Sequence, residues 1–297
     1  MNLMRPPAVL THTLTTALTP ILWGSTYLLA SEVLATSGPL TIATIRALPA
    51  GILLLVVTRG WQPAMAWHRL LILSTLNITG FQSLLFLAAQ RLPGGIATMV
   101  GSLQPILLIL LVWWLDRQRP RPLAIGAALI GMAGVWLVLL TKNADYDPTG
   151  LLAGFAATTC MAVGTFLSVK WRKSIAPIPL IGWQLLLGGL TLLGPALLLE
   201  ELPSHWSSAQ WAGLGYLVLF GTAAAYALWF RGLAVLPPVA VSALGLLSPI
   251  TALLLGWCFL GQTLRTHQMI GVAAVLASVA ILQIAAPSGL RPAKRLT

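Results

Sequence analysis

The feature that most constrains this chain is a series of apolar runs, each close to the ~20 residues an α-helix needs to cross about 30 Å of hydrocarbon. Ten of them fall at 14–35, 39–58, 68–89, 94–115, 122–141, 150–170, 178–199, 209–232, 238–260 and 267–286. Inside hydrocarbon the backbone finds no water, so each run must close its own hydrogen bonds as a helix. The expected fold class is an all-α integral membrane protein of ten transmembrane helices, with the lipid bilayer as its solvent. Composition agrees: 8% of the 297 residues are charged, against roughly 25% in soluble domains, and the mean hydropathy is +0.89.

A net charge of +11 in a soluble chain would raise nucleic acid as a partner. Here the basic residues stand in short connections between apolar runs and read as topology, with no nucleic acid implied. With the N-terminus in the cytoplasm, thirteen of the seventeen Lys and Arg residues fall on that side, among them Arg117, Arg119, Arg121, Lys170, Arg172 and Lys173. The positive-inside rule then places both termini in the cytoplasm. Cys160 and Cys258 both lie in expected spans and imply no disulfide framework. The first run is too long for a signal peptide and lacks a small-residue cleavage site, so it counts as the first span.

The ten runs are two sets of five. A shift of 144 residues brings Leu92-Pro93 onto Leu236-Pro237, Gly101 onto Gly245, Pro105 onto Pro249 and Trp113 onto Trp257. A shift of 140 pairs Gly24 with Gly164 and Pro39-Leu40 with Pro179-Leu180. The units are expected at 1–146 and 147–297. Because five is odd, the second copy enters the membrane from the opposite side, giving two inverted five-helix repeats. Secondary transporters recurrently use that design, with the solute bound near the midplane between the halves.

The stretch from Ile21 through Trp23, Gly24, Ser25, Thr26 and Tyr27, then Pro39, Arg46, Phe86-Leu87-Ala88 and the Pro105 and Pro249 spans, resembles the EamA-type proteins of the drug/metabolite transporter superfamily. The likeness runs through both halves. It implies a multi-pass inner (plasma) membrane exporter or exchanger of small metabolites such as amino acids, with a cavity between the halves. After the ninth span, where that family carries Gly-Glu, this chain has Gly261-Gln262, so no role for that glutamate is implied.

Gly101, Pro105, Gly245 and Pro249 are the expected kink or gating positions. Proline lacks an N–H and crowds the carbonyl four residues earlier, so the carbonyls of Gly101 and Gly245 are expected to lose their helical partners. Irregular backbone at depth is tolerated where it lines a cavity, although a kink that only shapes packing is the other reading. Gln104 and Ser248 stand beside the two prolines, and the 144-residue shift superposes Gln82 on Tyr226. These four and Asn77 are candidates for solute binding, with Trp23, Tyr27, Trp183, Gln184 and Trp229 as weaker ones. For each, helix-to-helix hydrogen bonding or packing is the competing role.

Arg46 is the single most informative residue, since a charge in a span is costly and faces protein or an aqueous path. Glu32 and Arg46 each stand seven residues from Pro39, so a tight hairpin sets them at similar depth. They are expected to form an ion pair that ties two helices together near the outer surface; in the alternative, Arg46 binds the carboxylate of an amino-acid-like solute, or Glu32 takes protons during transport. No phosphate-binding loop is present, the histidines sit at expected helix ends, and neither cofactor nor metal is called for. With Glu32 the one carboxylate inside a span, facilitated flux or exchange is a simpler expectation than a relay of protons. A non-enzymatic transporter of a small-molecule solute is therefore expected; the alternatives are a membrane-embedded enzyme, which lacks an acid–base pair here, and a non-transporting scaffold, disfavoured by short loops. Labelling of engineered cysteines with an impermeant reagent should find the loops near 59–67 and 200–208 on opposite faces; the same face for both would contradict inversion.

Overall fold

The computed structural model describes residues 6–34, 37–63, 65–92, 100–139, 147–172, 175–201, 205–261 and 263–285. Among them every regular element is helical, and the helices group into ten rods in chain order. The first two are α1 (Pro6–Glu32) and α2 (Pro39–Thr58). The third, α3, runs Trp67–Ser74, passes a π-helical turn at Thr75–Gly80 and continues as Phe81–Arg91. Then come α4 (Gln104–Asp116), α5 (Pro122–Leu139), α6 (Pro148–Arg172) and α7 (Pro177–Leu199). The eighth, α8, joins Ser208–Val218, a π-helical turn at Leu219–Ala224, and Ala225–Val235. Finally α9 combines Pro238–Leu244 with Leu247–Leu260, and α10 is Thr266–Ala285.

Proline opens six of these rods, at Pro6, Pro39, Pro122, Pro148, Pro177 and Pro238. The first helical position needs no N–H partner and suits the fixed φ of the ring. Seven rods, α2 and α5 through α10, are long and apolar enough to cross a membrane, and the described part of α4 is a shorter apolar helix. Their outward faces carry Val57, Trp114, Leu198, Phe259 and Ile284, each more than 70% exposed, where a water-soluble protein would place polar groups. Rod α1 begins eight residues before the expected span, because Pro6 and the polar Thr11-His12-Thr13 segment extend the helix beyond its apolar part.

The rods pair across the two halves. Rod α2 packs on α7, and α5 on α10; α6 packs on α3 and α4, just as α1 packs on α8 and α9. Exchanging each rod for the one five places along reproduces the same set of pairs. The two self-matched pairs are antiparallel. Leu48 of α2 lies against Gly189 of α7, and Gly51 against Gly182 and Leu186. At the α2 start, the Leu40 and Thr41 N–H groups both donate to the Glu200 carboxylate beyond α7, at 2.7 Å each. In α5 and α10, Ser278 donates to the Ala127 carbonyl at 2.6 Å and Gln268 to the Val138 carbonyl at 3.2 Å. The two π turns are also matched, since Thr75–Gly80 and Leu219–Ala224 stand 144 residues apart.

The kink positions differ from expectation in their hydrogen bonding. The chain tightens over Ser102-Leu103 and over Gly245-Leu246, with φ,ψ of −71°, −16° at Leu103 and −63°, −13° at Leu246. The Gly245 carbonyl is not left open: Ser248 N–H donates to it at 3.1 Å, and Leu246 N–H reaches Ala243 at 3.1 Å. A short i to i+3 turn has replaced the bonds that Pro249 forbids. Pro105 stands at the start of α4 rather than in its interior, and Leu103 N–H is bonded to Val100 at 3.1 Å.

Rods α5 and α10 approach most closely at Gly134 and Gly271. A Cβ on Gly271 would lie 2.5 Å from the Gly134 carbonyl oxygen and 2.9 Å from the Val138 nitrogen, whereas one on Gly126 would meet nothing within 4 Å. Gly271→Ala should therefore lower the thermal midpoint of the detergent-solubilised protein, by the equivalent of about 1–3 kcal/mol for overpacking. Gly126→Ala should not lower it, and equal effects of the two would contradict the close contact.

Candidate functional site

A cavity of about 250 Å³ lies between the halves, lined by residues from α1, α2, α3, α4, α5, α6, α8 and α9. Its floor is the tightened backbone itself, since Gly101, Ser102, Gly245, Leu246 and Pro249 all line it. Irregular backbone at depth, with its carbonyls satisfied locally, is what a cavity between helices permits.

Two chemically different walls face this space. One is aromatic: Trp23 of α1 meets Tyr226 edge-on at 5.4 Å between ring centroids, and Trp229 at 5.1 Å. These distances lie within the favourable range for ring pairs, which hold one another in fixed orientations. The other wall is polar and comes from the first half, with Gln82 on α3 and Gln104 at the start of α4. Gln82 is buried, at 3% exposure. The Gln104 Nε2 and Trp229 Nε1 atoms are buried behind the cavity wall without a partner among the described residues, as are Asn77 Oδ1 and Gln184 Nε2 away from it.

Arg46 also lines the cavity, and its role begins with the backbone of α8. Its Nε donates to Thr222 Oγ1 at 2.9 Å and its Nη2 to the Gly221 carbonyl at 3.1 Å, both in the π turn. A π turn disturbs the regular ladder, and a side chain from a neighbouring helix here binds its carbonyl. The matching turn in α3 is bridged from α7 by an amide in place of a guanidinium. Asn77 Nδ2 donates to Gln184 Oε1 at 2.7 Å and to Ser168 Oγ at 3.1 Å.

The candidate residues thus divide. Trp23, Arg46, Gln82, Gln104, Tyr226 and Ser248 come together at the cavity, with Gly101, Gly245 and Pro249. Asn77 and Gln184 do not line it; both are buried and joined to each other. Trp183 is also elsewhere, with its Nε1 donating to the Gly60 carbonyl at 3.0 Å and its ring edge-on to Trp67 at 5.3 Å. Pro105 is buried outside the lining. The side chains of Tyr27 and Glu32 lie outside the described residues, and so does the geometry of any Glu32–Arg46 pair. Trp229, a weaker candidate on sequence, is central, and the lining adds Phe81, Ser102, Thr158, Met161 and Ser242, which sequence reasoning missed. A lone serine, threonine or methionine in an apolar run carries no signal that separates a cavity wall from helix packing.

Toward the two ends of α6, ion pairs bridge the halves. Arg91 Nη1 meets Asp147 Oδ2 at 3.3 Å, and Lys170 Nζ meets Asp116 Oδ1 at 2.9 Å. The Thr149 backbone N–H, and after it Arg91, hold the Asp147 carboxyl below the usual carboxylate range against some desolvation. Among the described residues no cluster of three or more His, Cys, Asp or Glu could hold a metal ion.

The profile of the EamA-like transporter family matches this sequence twice, over residues 11–140 and 148–284. The chain is 41% identical over 267 residues to Protein PecM of Dickeya dadantii, covering 89% of each chain. It is 29% identical over 289 residues to the uncharacterized transporter sll0355 of Synechocystis, covering 88% of this chain and 86% of that one. The fold also matches a solved crystal structure with a TM-score of 0.80 at 21% identity, over 93% of this chain and 97% of the other. With both halves matched and a relative at 41% identity along nearly its whole length, the chain belongs to the EamA-like transporter family of the drug/metabolite transporter superfamily.

Proposed function

We propose that this membrane transporter works by alternating access, its two five-helix halves rocking about the central cavity to export or exchange small organic metabolites. The cavity carries the reading: it sits where the halves meet and draws its walls from both of them. Inversion of the halves is supported by the antiparallel contacts of α2 with α7 and of α5 with α10, the rods that match under the repeat. Ten spans, both termini in the cytoplasm and residence in the inner membrane complete the topology; they rest on the run lengths, the distribution of Lys and Arg, and the family. Amino acids are the solutes that the family likeness brings first.

Rocking requires contacts that break easily at both faces. The bridging ion pairs have the right strength, since their side chains are 16–49% exposed and such pairs contribute about 0–1 kcal/mol. The tightened turns in α4 and α9 supply places where each rod can bend without freeing a carbonyl. Transport rather than catalysis is favoured because the relatives above include a protein named as a transporter, and because the one ionic side chain in the described lining is already bonded to backbone.

Purified protein in liposomes should move at least one member of a panel of amino acids and organic metabolites faster than empty liposomes do. Ser248→Trp, which fills a cavity of about 250 Å³, should abolish that flux, and Leu198→Ala on the outer face, where Leu198 is 85% exposed, should leave it intact. Panel-wide flux at the level of empty liposomes, or undiminished flux through Ser248→Trp, would sink the proposal.

A further inference from the structure

A second recess lies on the outside of the bundle, in the seam between α4 of the first half and α6 of the second. The two rods run parallel there, since Val100 stands against Gly154 just before the start of α4, and Lys170 meets Asp116 at the other end at 2.9 Å. From α4 come Leu107, Leu110, Leu111 and Trp114, a single stripe at helical spacing, and from α6 come Thr159, Ala162 and Val163. The α6 side chains are short and leave a space of about 260 Å³ between the rods. Thr159 alone among these residues is polar, and it donates its hydroxyl proton to the Phe155 carbonyl of its own helix at 2.8 Å. A polar occupant would find its groups unsatisfied here, whereas hydrocarbon loses nothing. Leu110 and Trp114, 47% and 73% exposed, leave the recess open on the lipid side.

The register of the rods sets what stands at the end of this groove. Three residues beyond Trp114, about one helical turn, α4 stops at Arg117 in the left-handed conformation, with φ of 52°. Arg119 and Arg121 follow before α5 begins at Pro122. All three arginines are exposed, and neither ion pair among the described residues engages them. Lys170 joins them from α6, beside Asp116. Four cations therefore gather around one carboxylate, and Trp113 and Trp114 mark this end of α4 as headgroup level.

An apolar groove that ends in excess positive charge fits a hydrocarbon chain carrying an anion. We propose that the α4–α6 groove binds an anionic phospholipid. An acyl chain lies along Leu107, Leu110, Leu111 and Trp114, and the phosphate meets Arg117, Arg119 and Arg121. Basic residues at the membrane surface attract anionic lipid, and guanidinium groups bind phosphate through paired, charge-assisted hydrogen bonds. A second copy of the chain is disfavoured in the same groove, because a two-fold axis would set the two cationic clusters side by side. The bound lipid bridges the two halves on the face where Lys170 and Asp116 already join them.

Native mass spectrometry and thermal melts of the full chain, delipidated in detergent, test the site with phosphatidylglycerol and phosphatidylcholine of the same acyl chains. Phosphatidylglycerol should be retained at least about tenfold more tightly and should raise the melting temperature more, with the difference shrinking as salt is added. Combining Arg117→Gln, Arg119→Gln and Arg121→Gln should erase the preference. Combining Arg59→Gln and Arg231→Gln, which removes cations at the α2 and α8 ends of the same face, should leave it intact. Leu110→Trp and Thr159→Trp each fill the groove without touching a charge, and each should weaken phosphatidylglycerol retention by about tenfold. Size-exclusion profiles and melts in phosphatidylcholine report whether each variant is folded, and either filling variant serves if the other is not. Inorganic phosphate should not displace the lipid.

Equal retention of the two lipids would overturn the site, as would a preference that survives the triple variant or falls as far in the Arg59 and Arg231 control. Undiminished retention in the filling variants, displacement by inorganic phosphate, or a dimer that disperses when the groove is filled would overturn it too.

Discussion

The whole structure depends on one constraint, that backbone polar groups in hydrocarbon must find partners inside the protein. It dictates helices wherever lipid is the neighbour, and it allows departures only where another helix or a cavity stands alongside. The departures here obey it closely. The π turn of α8 has its Gly221 carbonyl bound by Arg46 from α2, and Pro249 is accommodated by a tightened turn that gives the Gly245 carbonyl a new partner; the counterpart turn in α3 is tied to α7 through side chains, Asn77 to Gln184. The two π turns are therefore also ties between the halves.

That pattern separates scaffold from specificity. The scaffold is nearly symmetric: matched rods, π turns and tightened turns all recur in the second half. The side chains on it are not. Gln82 and Gln104 in the first half face Tyr226 and Ser248 at the matched positions of the second, and Leu186 stands where the 140-residue shift puts the counterpart of Arg46. A duplicated frame can keep two similar end states of a rocking motion close in energy, while its unlike walls give a bound solute one preferred orientation.

Much of the frame was legible in the sequence, because run length and repeated Gly and Pro positions are direct consequences of helix rise and proline sterics. The rods and several cavity residues, among them Trp23, Gln82, Gln104, Tyr226 and Ser248, follow from that frame. The π turns were not legible. One extra residue at Thr75–Gly80 rotates the downstream half of α3 by roughly 100° relative to a regular helix. Asn77, inside the turn, consequently bonds to α7 while Gln82, just beyond it, faces the cavity. Trp229 was undervalued for another reason. Buried tryptophans in apolar spans are ordinary packing, and only the arrangement of the rods puts this one in the cavity lining.

A solute pathway through this cavity requires that water reach the layer between the tightened turns. In a background lacking Cys160 and Cys258, a cysteine at Ser248 should react with a charged, membrane-impermeant thiol reagent applied to either face of sealed vesicles. Reaction from neither face would contradict the pathway.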